Sequence, residues 1–179
     1  MMNKIIFQYF KSAYGELILG SFNNQLCLAD WRYRKMRTTI DNRIQSGLDA
    51  DYEEGESVVI DECKKQLMEY FDGKRTSFEI PLLMVGFDFQ KHVWDELLKI
   101  PYGTTSTYLG LSKNLGNEKA FRAVAAANGA NAISIIIPCH RVVGSKGKLV
   151  GYAGGLATKQ KLLKLEGIGK DYGQLDLFE

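Results

Sequence analysis

Ile5-Ile6-Phe7-Gln8-Tyr9-Phe10, Leu17-Ile18-Leu19-Gly20-Ser21 and Leu26-Cys27-Leu28-Ala29-Asp30 are short apolar-rich runs, separated by the turn residues Tyr14-Gly15 and Asn23-Asn24. Strands point successive side chains to opposite faces, so runs of this length between turns read as an antiparallel meander. Beyond it the acidic stretch Asp49 to Glu56 reads as a solvated loop. Ile60, Cys63, Leu67, Tyr70 and Phe71 then fall at helical spacing up to the stop Asp72-Gly73. Sheet first and helices after is an α+β arrangement.

Between Phe78 and Phe87, Pro81 and Gly86 discourage regular structure, which predicts a linker and divides the chain into residues 1–85 and 86–179. A second amphipathic helix carries Phe89, Val93, Trp94, Leu97 and Leu98 and ends at Ile100-Pro101-Tyr102-Gly103. Trp94 reads as core and His92 as surface. Thr107 is a candidate N-cap for Tyr108 to Leu115, and Gly116-Asn117 turns the chain into Glu118 to about Asn128, so the pair reads as helix-turn-helix. Its second helix holds Ala123-Val124-Ala125-Ala126-Ala127, a surface nearly without bulk that suits close approach to another helix or to a nucleic-acid groove.

With 179 residues, 45% hydrophobic, 25% charged and three prolines, the composition is that of a globular protein and excludes a disordered or collagenous chain. No run approaches the ~18 to 20 apolar residues of a membrane span, and Ile5 to Phe7 is too short for a secretory signal, so a cytoplasmic protein with no membrane association is expected. Three cysteines, at 27, 63 and 139, are odd in number and far apart, which argues against a disulfide framework. Neither these nor the two histidines show a metal-ligand spacing, so no metal is expected. The net charge of +2 is unevenly spread: residues 90–164 hold 11 basic and 3 acidic side chains, a bias that suits a polyanionic partner.

Ile133-Ser134-Ile135-Ile136-Ile137 reads as a short β-branched strand stopped at Pro138, where a ladder N–H is missing. Directly after it stand Cys139, His140 and Arg141. A thiol beside an imidazole and a guanidinium lies in an electropositive setting that favours the thiolate. In an extended chain His140 would point away from Cys139, so it can serve as base only if the backbone turns or a water bridges the two. A carboxylate should orient the imidazole. The candidates after Cys139 are Glu166, Asp171, Asp176 and Glu179, of which Glu166, following the helical Thr158 to Leu165, is best placed.

Pro138-Cys139-His140-Arg141-Val142, with the helix-turn-helix before it and Gly151-Tyr152-Ala153-Gly154-Gly155-Leu156 and Lys159-x-x-Leu-Leu-x-x-Glu166 after it, closely resembles the methylated-DNA-protein-cysteine methyltransferases, the O6-alkylguanine repair proteins. The resemblance runs from Phe89-Gln90-x-x-Val93-Trp94 to Glu166-Gly167, with a weaker echo in Gln66-Leu67-x-Glu69-Tyr70-Phe71-x-Gly73. It implies a ribonuclease-H-like N-terminal domain and a winged-helix-like C-terminal domain that binds double-stranded DNA. The protein would flip an alkylated guanine out of the duplex and transfer the O6-alkyl group irreversibly to a cysteine. It would act once, as a monomer and without a cofactor.

By the same resemblance Cys139 is the acceptor, His140 the base acting through water, and Glu166 the carboxylate that holds His140. Asn131 is the hinge asparagine. Arg122 replaces the extruded nucleotide in the stack, and Tyr108 crowds the 3′ phosphate and can protonate the departing guanine. Ala123 and Ala126 lie toward the minor groove with Arg141 also counted among the DNA contacts, and Val142, Val143, Tyr152 and Ala153 line the base pocket. The chain departs from the family where Thr107-Tyr108-Leu109-Gly110-Leu111-Ser112 replaces Ser-Tyr-Gly-Glu-Leu-Ala, where Asn131-Ala132 replaces Asn-Pro, and where Ala153 replaces an alternative serine. Lesion-sensing relatives replace the acceptor cysteine, commonly by tryptophan. A cysteine hydrolase would leave the helix-turn-helix unexplained. The sequence leaves activity on O4-methylthymine open.

Overall fold

The computed structural model describes residues 2–169, so Asp171, Asp176 and Glu179 lie outside the described residues. The chain forms two compact units, dividing between Phe87 and Asp88. In the first, β1 (Asn3–Ser12), β2 (Gly15–Phe22) and β3 (Gln25–Trp31) form the expected meander, β1 with β2 and β2 with β3 both antiparallel. Asn23 and Asn24 both take positive φ, the left-handed conformation that asparagine tolerates in tight hairpins. Leu17 to Ser21 and Leu26 to Trp31 are buried without alternation, so β2 and β3 are covered on both faces.

The stretch Asp49 to Glu56 is not the solvated loop that its acidity predicts. Ala50–Glu54 is a strand, β4, pairing in parallel with β1 at the sheet edge, in the order β3-β2-β1-β4. The sheet is therefore mixed. A parallel neighbour needs a crossover, and α1 (Arg37–Leu48) supplies it. Charges on β4 suit an edge strand, where they discourage further pairing. Phe78 to Phe87 is also more than a tether: Leu26 N–H donates to Pro81 O at 2.8 Å and Leu83 N–H to Leu26 O at 2.9 Å, fastening the run to β3. Helix α2 (Val58–Phe71) is capped by Ser57, whose hydroxyl accepts from Ile60 N–H, and buries Ile60, Cys63, Leu67 and Tyr70.

In the second unit α3 (Asp88–Leu98) buries Val93, Trp94 and Leu97, and the Trp94 indole donates to Ala127 O at 2.9 Å. His92 is exposed. Ser106–Thr107 (β5) leads into α4 (Tyr108–Asn114), with Thr107 Oγ1 accepting from Gly110 N–H at 2.9 Å. A 3-10 turn over Glu118–Ala120 enters α5 (Phe121–Gly129). The short β6 (Val142–Val143) pairs in parallel with β5, and α6 (Leu156–Leu165) follows Gly155, whose φ of 88° favours glycine. Ile133 to Ile137 does not form the strand that its composition predicts. Ile135 has φ 72°, Ile136 N–H donates to Ser134 O and Ile137 N–H to Ile133 O, so the run is a coiled knot of turns.

Asp30, fully buried, joins β3 to α1: Arg34 reaches it at 3.0 Å and Arg37 at 3.1 Å, while Arg37 also clasps Asp41, which accepts from the Tyr52 hydroxyl. Removing this carboxylate leaves a buried guanidinium short of its counter-charge. Asp30→Ala is expected to lower the stability of the N-terminal unit by about 3 to 5 kcal/mol in denaturant titration, whereas an unchanged midpoint would show the network to be energetically idle.

Candidate active site

Pro138 ends the knot of turns, and Cys139, His140 and Arg141 follow on a single 3-10 turn, closed by Cys139 N–H to Ile137 O at 2.8 Å and Arg141 N–H to Pro138 O at 3.0 Å. The backbone thus turns at the point where an extended chain would have sent His140 away from Cys139. The cysteine is 4% exposed, the histidine 0% and the arginine 6%. Asn131 braces the approach, its amide donating to Ile137 O at 2.9 Å while its oxygen accepts Ile133 N–H at 2.9 Å. One buried side chain therefore ties both ends of the knot.

Glu166, at the end of α6, gathers the turn. His140 Nε2 lies 2.7 Å from Oε1, Arg141 donates through Nε at 2.9 Å and through a terminal nitrogen at 3.0 Å, and Gly103 N–H donates at 3.2 Å. Burial pushes the His140 pKa below its ordinary 6.5, with Glu166 pulling the other way. The imidazole is then neutral at pH 7. With Nε2–H given to the carboxylate, Nδ1 carries the lone pair and is the basic nitrogen, an assignment that follows from the hydrogen bond.

Two further ionisable groups flank the thiol. Tyr108 is half-buried, and burial followed by the nearby Cys139 pushes its phenol up, keeping it a proton donor. Lys159 is fully buried, with Nζ donating to Val150 O at 2.9 Å and Gly151 O at 3.2 Å. Burial pushes its ammonium down to about 8, against the pull of Cys139. The sequence pattern around Lys159 assigns this residue no role. The signal lay in its spacing from Leu162 and Leu163, which puts it on the apolar side of α6. Burial pushes both Cys27 and Cys63 up to about 12, leaving them protonated and unreactive.

Val142 and Val143 are buried, in register with Ser106 and Thr107. Tyr152 and Ala153 are half-buried, and the Tyr152 ring meets the His140 ring edge-on at 6.5 Å. On α5, Arg122, Ala123 and Ala126 are exposed while Val124, Ala127 and Asn128 are buried. Arg141 needs correction: its guanidinium is spent on Glu166 and on Ile100 O at 2.7 Å, so it belongs to the buried cluster and not to a DNA-contacting surface.

Residues 88–168 match the DNA-binding domain of the 6-O-methylguanine DNA methyltransferase family and residues 5–84 match that family's ribonuclease-like domain. The methylated-DNA--protein-cysteine methyltransferase of Methanosarcina acetivorans is 56% identical over 106 residues, which span 59% of this chain and 68% of that protein. The chain belongs to this family. The Mycobacterium tuberculosis protein of the same name is 52% identical over 101 residues, 56% of this chain and 61% of that one. The crystal structure of Mycobacterium tuberculosis OGT in complex with DNA superposes with a TM-score of 0.77 at 36% identity, covering 97% of this chain and 99% of that one. An O6-methylguanine-DNA methyltransferase from Pyrococcus kodakaraensis, at 22% identity and TM-score 0.68, shares the fold.

Within this methyltransferase family member the Arg141 correction can be checked directly. Arg141→Ala breaks a buried ion pair and is expected to cost about 3 to 5 kcal/mol in unfolding. Under native conditions the folded variant should bind undamaged duplex within about twofold of the parent, since a lost phosphate contact would instead reduce the salt dependence of binding. A reduced salt slope would return Arg141 to the DNA surface.

Proposed function

We propose that this protein is a cytoplasmic, monomeric DNA repair protein that transfers the methyl group of O6-methylguanine in duplex DNA to its own Cys139. The observation that carries this reading is the placement of Cys139 and His140 on one buried turn, with His140 Nε2 2.7 Å from Glu166. A stacked guanine cannot offer its O6-methyl carbon for in-line attack, so the base must leave the helix. The residues from 86 onward bind the DNA and those of 1–85 support them. Ala123 and Ala126, exposed and nearly without bulk, let α5 sit deep in the minor groove. Arg122 takes the vacated place in the stack, and Tyr108 crowds the phosphate.

The proton of Cys139 passes through a water to Nδ1 of His140, and Glu166 stabilises the resulting imidazolium. The thiolate sulfur forms a bond to the methyl carbon while the carbon–oxygen bond breaks, and the electron pair leaves with the guanine oxygen. Tyr108 supplies the proton that the departing guanine needs, and the proton held by the His140 imidazolium returns through water to the phenolate. Val142, Val143, Tyr152 and Ala153 hold the base meanwhile. The thioether is stable, so each molecule acts once and no diffusible cofactor takes part.

Intact-protein mass spectrometry after mixing with a duplex carrying one O6-methylguanine should find one methyl, mapped to Cys139, with stoichiometric restoration of guanine. Cys139→Ala should bind the same duplex and leave the lesion in place. A wild-type protein that binds the lesion tightly yet stays unmodified would make it a lesion sensor instead.

The pH dependence follows from His140. Its folded pKa lies below 6.5, so it is deprotonated and competent above that value, and the His140-controlled transfer rate should be independent of pH there and fall as pH drops through the lowered pKa. Folding stability declines over the same acid range, because the unfolded chain binds the proton first. A His140→Gln variant should lose about 10²- to 10⁴-fold in single-turnover rate and lose the acid limb with it. An acid limb that survives this substitution would belong to another group.

A further inference from the structure

Helix α5 has two unlike sides. Val124, Ala127 and Asn128 are buried, and at 3.6 residues per turn Arg122, Ala126 and Gly129 succeed one another along the opposite, exposed side. Apart from Arg122, that side carries nothing longer than a methyl group. Phe121 opens the helix beside it and is 45% exposed. Single exposed apolar residues are ordinary on protein surfaces. This one is not isolated, because the Arg122 guanidinium lies 5.7 Å from the centre of its ring, within cation–π reach. A long cation and a large ring therefore stand as a pair at one end of an otherwise flat helix.

We propose that Phe121 is a wedge residue: as Arg122 enters the place of the extruded nucleotide, the Phe121 ring packs on the adjacent base pair and holds the opened step apart. The inference rests on the base-flipping reading given for Arg122. Extruding one nucleotide leaves base faces above and below the gap without their stacking partner. A guanidinium fills the gap but covers those faces incompletely, and an aromatic ring at its side supplies apolar contact that every base can accept. Apolar side chains inserted beside unstacked steps are a recurrent means of keeping minor-groove sites open. Base–aromatic stacking is tolerant of sequence, which suits a protein that must act wherever a lesion falls. The alanine face allows the approach without competing for the same space.

The test compares Phe121→Ala, Phe121→Trp and Arg122→Ala in single-turnover transfer from a duplex carrying O6-methylguanine and in reaction with free O6-methylguanine, which needs no flipping. Phe121→Ala should slow transfer from duplex by about 10-fold or more and react with the free base within about twofold of wild type. Phe121→Trp should restore the duplex rate, and its added indole fluorescence should be quenched on the lesion duplex by stacking. A wild-type duplex rate for Phe121→Ala, with Arg122→Ala still slow, overturns the wedge while leaving the Arg122 reading intact. If Arg122→Ala slows both reactions equally, or neither, the flipping role of Arg122 falls and the wedge falls with it. A slow Phe121→Ala accompanied by an unquenched indole would make the ring only a platform for Arg122, which also overturns the proposal.

Discussion

Glu166 is a carboxylate with 4% exposure, and such a group is tolerable in a protein interior only when its lone pairs are met and its charge is balanced. Arg141 supplies the balance, and Gly103 N–H and His140 Nε2 take what remains. Each of these bonds has a structural consequence. The bond to Gly103 closes the turn that follows α3. Arg141, also bonded to Ile100 O, fixes the far end of the 3-10 turn, and the bond to His140 selects the tautomer that leaves Nδ1 basic. If Glu166 is lost, the imidazole has no reason to hold one orientation and the guanidinium is buried against a single carbonyl. Hydrogen bonding and charge, more than apolar packing, set the geometry of this region.

The surroundings of the thiol are tuned by burial in opposite directions for opposite purposes. Burial lowers His140 and so keeps it neutral, and raises Tyr108 and so keeps it protonated. The same loss of water lowers Lys159 only to about 8, so it remains mostly charged at neutral pH, where it fastens the loop at Val150 and Gly151. A neutral base, a neutral acid and a cation can thus coexist around one sulfur. Cys27 and Cys63, buried without comparable neighbours, are pushed up to about 12 by the same desolvation. What distinguishes Cys139 is its company, since all three cysteines are buried.

Much of this was legible in the sequence. The meander, α2, α3 and the helix-turn-helix follow from local periodicity and turn residues, which act over a few positions. The elements missed depend on partners far along the chain. Helix α1 buries only Ile40 and Ile44, lacks a capping side chain at Met36, and relies on Asp30 and Asp41 to pair Arg37. Edge strand β4 is acidic outside Ala50 and Tyr52, and its pairing with β1 is invisible to a local reading. Ile133 to Ile137 has the composition of a strand but is bent by Asn131, and Ile135 occupies a conformation that β-branched residues avoid. That conformer costs of order 1 to 3 kcal/mol and persists because the brace over-determines it. Arg141 was misread for a related reason: a cationic side chain beside a nucleophile suggests an anionic ligand, and the anion here is internal.

The pairing of His140 with Glu166 spans 26 positions, and that of Gly103 with Glu166 spans 63. Contacts this distant along the chain close late, since each loop must lose its freedom before the bond can repay it. During synthesis the cysteine therefore emerges well before the carboxylate that completes its neighbour. Until α6 docks, His140 has neither its fixed tautomer nor its shield from water, and Cys139 is an ordinary thiol on an incomplete chain. The surroundings of the thiol are thus a property of the finished unit: Cys139 gains its full set of neighbours only when the carboxylate 26 positions beyond His140 has closed on the turn.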